Sequence, residues 1–236
     1  MSEIKSSLVL PCYNEELNLR AQEAKLLQIP DLIKGELILV DNGSRDGTAD
    51  FIRYLNGKNP RIVLVSVTVN EGYGNGILCG LNAAQGHFLG WTHSDGQFDL
   101  LDCVKAFKIL LSQSQPEKFF VMGRRAGRPF GDRVFTLGMA IFESLLFQMV
   151  LYDISAQPKI MTRSFYLSLK NAPKDFALDL YVYVMAKRQG MEVLRFQTPQ
   201  LPRVSGASSW NTGLRSRLKL IRRILGFSLR LRVEQL

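Results

Sequence analysis

Three short apolar runs, separated by segments with a helical rhythm, constrain the fold of this chain more than any other feature. They occupy residues 6–10, 36–40 and 61–67. The second run is almost continuous in apolar residues, as is typical of a central strand in a parallel sheet. Strands that alternate with helices at this spacing predict an open α/β sheet with right-handed crossovers. We expect Pro11 to end the first strand and Asn14 to cap the helix that follows.

Polar stretches follow the ends of the predicted strands, where open α/β sheets bind their ligands. They comprise residues 11–15, 41–44 and 95–97. On extended chain, Asp95 and Gln97 would point to the same side, and their oxygen donors suit Mg²⁺ or Mn²⁺. The alternative for this last stretch alone is an ordinary polar exit from a strand. The convergence of three strand ends favours a ligand site.

A glycine-rich stretch at residues 70–76 contains Asn70 and three alternating glycines, with Gly74 at their centre. Such spacing favours close approach of the backbone to a ligand or to a helix. The alternative is a flexible loop that caps the following helix, and both interpretations remain open at this point.

Composition limits the class of protein and the kind of partner. A length of 236 residues suits one domain, or one domain with an appendage. Three cysteines without metal-ligand spacing favour a reduced, cytosolic setting without disulfides, and we expect no N-terminal targeting signal. The net charge of +9 favours anionic partners. Nucleic-acid binding is the weakest candidate, since no nucleic-acid motif is present.

Two segments of the sequence are candidates for contact with a membrane. The apolar run at 134–152 contains Glu143, which is costly inside a bilayer, so we predict no transmembrane helix. That run is expected to pack in the core or to lie at an interface. The tail from Leu214 to Leu231 has an apolar face opposite five basic residues. It predicts a helix on an anionic lipid surface, with docking on the domain as the alternative.

Three ordered motifs resemble those of a known family: LVLPCYNE at residues 8–15, VDNGSRDGT at 40–48 and SDGQ at 94–97. They resemble the inverting GT-A glycosyltransferases of glycosyltransferase family 2, with the dolichyl- and polyprenyl-phosphate sugar transferases as the most similar branch. The resemblance implies a Rossmann-like, mostly parallel sheet flanked by helices. It runs from Leu8 to about Trp210 and implies a catalytic domain over residues 1–210, with a nucleotide-sugar half to about 115 and an acceptor half at 116–210. A basic amphipathic C-terminal helix would occupy 211–236.

The resemblance also implies roles for residues of the first half. The nucleotide sugar would contact a set of residues at the strand ends: Pro11, Tyr13, Glu15, Asp41, Asn42, Ser44, Asn70, Gly74 and Asp95. Asp95 would be the metal carboxylate, with Gln97 as a neighbouring ligand. The usual first acidic residue of the metal motif falls at His93, which would hydrogen-bond within its turn or ligate the metal.

The second half is expected to supply the acceptor side. Guanidinium groups match phosphate oxygens, so the arginine pair 124–125 and Arg133 could clamp the donor diphosphate or an anionic acceptor, with surface arginines as the alternative. By resemblance, Arg125 is the best candidate, and it would stabilise the leaving diphosphate. By resemblance, the acceptor or its phosphate would contact Asp153, Gln157, Lys159 and Ser208. Arg203 would lie in a loop that closes over the donor. Asp179 would act as a base if the acceptor were a hydroxyl.

The predicted function is metal-assisted sugar transfer, with inversion, from a UDP- or GDP-sugar to a polyprenyl or dolichyl phosphate at the cytoplasmic membrane face. A GT-A transferase that uses a hydroxyl acceptor in surface polysaccharide synthesis is one alternative. A non-catalytic nucleotide-sugar-binding subunit is another, motivated by His93. A sugar-1-phosphate nucleotidyltransferase is disfavoured, since no glycine- and arginine-rich loop follows the first strand. A membrane-protein partner or a homo-oligomer stays open.

Overall fold

The computed structural model describes residues 4–127, 130–201 and 214–233, which form one seven-stranded sheet with helices on both faces. The strands are β1 (Ser6–Cys12), β2 (Gly35–Asn42), β3 (Ile62–Val67), β4 (Phe88–Trp91), β5 (Phe119–Ala126), β6 (Lys159–Thr162) and β7 (Glu192–Pro199). The helices are α1 (Glu16–Ala21), α2 (Glu23–Leu32), α3 (Thr48–Lys58), α4 (Tyr73–Ala83), α5 (Leu100–Leu111), α6 (Phe130–Phe147), α7 (Arg163–Ser168), α8 (Leu178–Arg188) and α9 (Leu214–Val233).

The strand order is β3-β2-β1-β4-β6-β5-β7, and every pairing is parallel except the two made by β6. The predicted α/β sheet is therefore confirmed. Because β6 runs backwards, its first residue, Lys159, lies opposite Trp91 at the end of β4. The start of β6 thus reaches the edge at which the other strands end.

The sheet buries both of its faces, which explains the uninterrupted apolar runs at residues 8–10 of β1 and 37–40 of β2. Val9 and Ile38 point to one face, in a cluster with residues of α4 and α8. Their neighbours Leu8 and Leu37 point to the other face, in a cluster with residues of α2, α3 and α5. This alternation follows from the two-residue period of a strand.

Two details of the first crossover differ from the prediction. Strand β1 continues through Pro11 to Cys12, because β4 pairs with β1 only as far as Val9 and no donor is needed beyond it on that side. The residue before α1 is Glu15, not Asn14. Asn14 instead adopts a left-handed backbone with a φ of 54°, and its side-chain oxygen accepts a hydrogen bond from the backbone N–H of Arg45.

The C-terminal helix α9 docks on the domain. Ser228 on α9 is buried and donates a hydrogen bond of 2.8 Å to Glu143 on α6. Leu231 is also buried, and the ring of Phe227 lies edge-on to Tyr181 of α8. The predicted helix is therefore present, and it packs inward through Phe227, Ser228 and Leu231, whereas Leu229 and Val233 are exposed. Within the described ranges, no helix combines the length and the apolar character needed to cross a bilayer.

Candidate functional site

The loops after β1 and β2 are joined by backbone-to-side-chain hydrogen bonds. The N–H of Asn14 donates to Ser44 Oγ at 3.0 Å, and the N–H of Glu15 donates to Thr48 Oγ1 at 2.9 Å. Glu15 itself is buried, whereas Tyr13 is half-buried. These contacts fix the first two predicted nucleotide-binding stretches against each other.

Asp41 and Asn42, at the end of β2, are held by their own surroundings. Asp41 Oδ1 accepts a hydrogen bond of 3.0 Å from the N–H of Ser44, which closes the turn. The Asn42 amide donates to the carbonyl of Gly72 at 3.0 Å and to Asn70 Oδ1 at 3.3 Å. Asn42 and Asn70 thus connect the second strand end to the glycine-rich stretch.

The loop after β4 is tied to the same edge of the sheet. Ser94 Oγ donates to the carbonyl of Pro11 at 2.8 Å. The carbonyl of Ser94 accepts from the Gln22 amide at 3.1 Å. The three strand ends that the motifs marked are therefore neighbours, as the parallel topology requires.

Asp95 and Gln97 do not lie on extended chain, so the argument that placed them on one side was wrong. Gly96 between them has a φ of 75° and bends the backbone. The N–H of Gln97 donates to Asp95 Oδ1 at 3.1 Å within this bend. Both side chains remain half-buried at the sheet edge.

The donor set at this bend suits a hard cation that is completed by a substrate. Among the described residues, no three His, Cys, Asp or Glu side chains are arranged to hold a metal ion. Magnesium is commonly bound through one or two carboxylates together with substrate phosphates. Asp95, with the amide oxygen of Gln97, fits that pattern.

His93 is packed in a stack of rings. Its imidazole lies 5.1 Å from the ring of Tyr73 and 5.8 Å from that of Phe98, and Tyr73 stacks in turn on Phe176 at 5.0 Å. Burial lowers the pKa of His93, against the opposing effects of Asp95 and Asp179. These aromatic partners explain why a neutral imidazole occupies this position. The sequence did not reveal the stack because Tyr73 and Phe176 come from segments far from His93 in the chain.

Lys159 and Asp179 form a buried ion pair of 2.7 Å between Nζ and Oδ1. The Gln157 amide donates to the same Asp179 oxygen and to the Tyr73 hydroxyl, each at 3.2 Å. Burial lowers the pKa of Lys159, and Asp179 opposes that shift. Since the Asp179 carboxylate is already engaged, a role as base would require this pair to separate.

Arg125 and Asp153, both predicted to contact phosphate or acceptor, are bound to each other. The side chain of Arg125 donates from Nε to Asp153 Oδ1 at 2.7 Å, and its backbone N–H donates to Oδ2 at 2.7 Å. Both side chains are largely buried. Asp153 therefore orients the guanidinium of Arg125 at the end of β5.

A basic cavity of about 230 Å³ opens beside this pair. It is lined by Arg124, Arg125, Ala126, Gly127, Arg133, Tyr152 and Gln197. The guanidinium groups of Arg124 and Arg195 each lie 5.8 Å from the Tyr152 ring centre. Arg124 belongs to the arginine pair for which the sequence predicted phosphate binding, whereas Tyr152 was not among the predicted site residues.

The backbone of the glycine-rich stretch packs closely against another part of the protein, the loop before α8. A Cβ atom built on Gly74 would lie 2.6 Å from the carbonyl oxygen of Asp175. The N–H of Asn75 donates to the carbonyl of Lys174 at 2.8 Å. Gly74 therefore lets α4 pack on the loop before α8. Of the remaining predicted residues, Arg203 and Ser208 lie outside the described ranges.

The sequence matches the model of the family described as "Glycosyl transferase family 2" over residues 7–155. It is 29% identical over 214 residues to an uncharacterized glycosyltransferase of Mycobacterium bovis, covering 89% of this chain and 91% of the relative. It is 27% identical to a dolichol-phosphate mannosyltransferase of Mycosarcoma maydis, covering 51% of this chain and 42% of the relative. The matched segments span between 27% and 55% of the length of five curated relatives.

A solved structure of similar fold is glucosyl-3-phosphoglycerate synthase from Mycobacterium tuberculosis, in complex with Mn²⁺, UDP-glucose and phosphoglyceric acid. The TM-score is 0.74 at 20% identity, and the alignment covers 97% of this chain and 79% of the other. At this identity the similarity establishes the fold, which is the α/β GT-A fold.

Proposed function

This chain belongs to glycosyl transferase family 2, and from that premise we propose that it transfers a sugar from a nucleoside diphosphate sugar to a polyprenyl phosphate. The transfer inverts the anomeric carbon and takes place at the cytoplasmic face of a membrane. The observation that carries the proposal is the basic cavity of Arg124, Arg125 and Arg133, at the same sheet edge as Asp95.

The donor half of the proposal rests on the three joined strand ends. The loops that contain Tyr13, Asp41 and Asp95 are hydrogen-bonded to one another or to the same strand. We assign the nucleotide to this edge, with Asp95 and Gln97 holding Mg²⁺ or Mn²⁺ on the diphosphate. The cation that Asp95 and Gln97 would hold would supply positive charge for the leaving diphosphate.

The acceptor half rests on charge and proximity. The two residues that follow β7 join the basic cavity to the donor edge. The N–H of Gln200 donates to the carbonyl of Ala126 in the cavity wall at 3.2 Å, and the N–H of Leu201 donates to the carbonyl of Gln97 at 2.9 Å. Guanidinium groups bind phosphate oxygens in a planar, two-pronged arrangement. Arg124 and Arg133 are exposed and can reach an incoming phosphate, while Arg125 is oriented by Asp153.

The chemistry requires orientation more than proton transfer. An oxygen of the acceptor phosphate forms a bond to the anomeric carbon while the bond from that carbon to the diphosphate oxygen breaks. The acceptor is already anionic, so no base is needed. This agrees with Asp179, whose carboxylate accepts hydrogen bonds from Lys159 and Gln157. Catalysis then depends on alignment and on stabilising the leaving group.

A soluble phosphorylated acceptor is the second candidate. The structure of similar fold contains phosphoglyceric acid, which also carries a phosphate. The basic cavity suits the phosphate of either acceptor, so charge alone does not separate them. The two acceptors differ in the apolar chain, which only the polyprenyl phosphate carries.

The test is a donor and acceptor screen with the full chain. UDP- and GDP-sugars carrying radiolabel are incubated with Mn²⁺ and either a polyprenyl phosphate or 3-phosphoglycerate. We expect label to move into the organic phase with the polyprenyl phosphate. Label that appears only on 3-phosphoglycerate would select the second candidate, and nucleotide binding without any transfer would overturn both.

Variants of the cavity sharpen the screen. Arg133→Gln should raise the KM for the acceptor about tenfold, on the order of the energy of a charged hydrogen bond, and leave the donor KM unchanged. Arg53→Gln is the matched control, since Arg53 is exposed on α3 and pairs with Asp50. A donor KM that rises as much as the acceptor KM would contradict the assignment of the cavity.

A further inference from the structure

Helix α6 exposes an apolar stripe along its length. Phe130, Val134, Leu137, Ile141 and Leu145 are each between 50% and 78% exposed. Their spacing of three or four residues places them on one side of the helix. A contiguous exposed apolar surface of this kind marks a site of contact with a partner or a membrane.

The stripe is not the side on which α6 packs. The opposite side of the helix is buried through Ala140, Glu143 and Phe147. Glu143 accepts the hydrogen bond from Ser228, so α9 covers that opposite side. Docking of α9 therefore leaves the stripe uncovered.

The surroundings of the stripe are basic. Arg133 lies on α6 itself, and Arg124 lines the cavity next to it. Among the α6 side chains that the structure describes, the one carboxylate is Glu143, which is fully buried. Two exposed apolar residues, Val150 and Tyr152, continue beyond the end of the helix. An apolar stripe with a basic rim matches the boundary between acyl chains and anionic headgroups.

We propose that α6 is the membrane-binding element, lying in the plane of an anionic bilayer with its stripe among the acyl chains. Arg124 and Arg133 then meet the phosphates of the headgroups. A second copy of the chain fits less well, because the described side chains of this rim would offer these arginines no counter-charge in a symmetric contact. The proposal moves the membrane contact from α9, where the sequence placed it, to α6. It stands whether or not the acceptor is a lipid.

The test measures binding of the full chain to sedimented vesicles. Wild type is compared on vesicles of phosphatidylcholine alone and of phosphatidylcholine with phosphatidylglycerol. The variant Leu137→Ser/Ile141→Ser removes the centre of the stripe at exposed positions, so the fold should persist. The matched control, Leu17→Ser/Leu167→Ser, removes two other exposed leucines that lie far from α6 in the sequence.

We expect wild type and the control to bind the anionic vesicles. The stripe variant should bind at least tenfold more weakly, because it lacks two aliphatic side chains that would be buried among the acyl chains. Thermal unfolding and nucleotide binding should match wild type in both variants. Unchanged vesicle binding by the stripe variant would overturn the proposal. So would a wild-type dimer, found by light scattering, that dissociates in the stripe variant while no chain binds vesicles.

Discussion

The two sides of the sheet edge hold their polar side chains in different ways. On the donor side, the loops after β1, β2 and β4 are joined by hydrogen bonds in which side chains satisfy backbone groups, such as Asn14 N–H to Ser44. On the acceptor side, the side chains pair with each other as charges, in Lys159–Asp179 and Arg125–Asp153. The donor side is organised by backbone geometry, whereas the acceptor side is organised by buried electrostatics.

This difference predicts how each side responds to substitution. A buried charge that loses its partner pays its full desolvation cost, whereas a loop contact near solvent can be replaced by water. Variants that break the buried acceptor-side pairs should therefore lose stability, and donor-side variants should lose activity in a folded protein.

The largest expected effect on stability comes from breaking the Lys159–Asp179 pair. Lys159→Met leaves the Asp179 carboxylate buried and unpaired, and should cost about 3–5 kcal/mol in the free energy of unfolding, measured by chemical denaturation. Lys174→Met is the control, because the Lys174–Glu71 pair is exposed to solvent and its loss should change the free energy of unfolding little. Equal losses in the two variants would erase the contrast between the two sides.

A second effect depends on pH. Burial raises the pKa of Glu143 to about 7, against an ordinary value of 4.5. A carboxyl group with a raised pKa in the folded protein costs stability above its unfolded pKa, and the cost is complete above the folded one. Glu143→Gln should therefore gain up to about 3 kcal/mol over wild type at pH 8.

At pH 4 the same substitution should change little, because the carboxyl group is then protonated in both states. Thermal unfolding of both proteins across this pH range measures the difference. A Gln variant that is less stable than wild type at pH 8 would show that the ionised group is favourably bound between α6 and α9.

A smaller effect on stability is expected at Gly74, where α4 packs on the loop before α8. Gly74→Ala places a methyl group against the carbonyl of Asp175 and should cost about 1–3 kcal/mol of stability. Gly57→Ala is the control, since nothing lies within 4 Å of its added Cβ, and α3 should gain up to about 1 kcal/mol. If Gly74→Ala were as stable as wild type but did not bind nucleotide, Gly74 would be a ligand-contacting residue and not a packing residue.

The sequence was informative where structure is local. The three strand ends could be predicted because each motif directly follows an apolar run, and parallel strands bring those ends together. The direction of β6 could not be predicted, since it has four residues and begins with a lysine whose partner, Asp179, lies on α8. The prediction that Asp95 and Gln97 lie on extended chain was wrong, because Gly96 adopts a left-handed φ that the periodicity of the sequence does not reveal.

The helix α9 shows a different limit. An amphipathic pattern satisfies a bilayer and a protein surface equally well, so the pattern alone could not choose between them. The choice was made by Glu143 and Ser228, two polar residues 85 positions apart in the chain. The sequence likewise does not show which side of α6 is covered by α9, so the exposed apolar stripe could be identified only in the structure.

The role proposed for Asp95 is to hold the cation on the donor diphosphate at this edge of the sheet. The most direct measurement is the rate of sugar transfer by Asp95→Asn at saturating Mn²⁺. The control is Asp99→Asn, four residues further along the chain, because asparagine can still cap the N-terminus of α5 as Asp99 does. We predict that Asp95→Asn lowers turnover on the order of 10²–10³-fold while Asp99→Asn is unchanged. Wild-type turnover in Asp95→Asn would contradict the account.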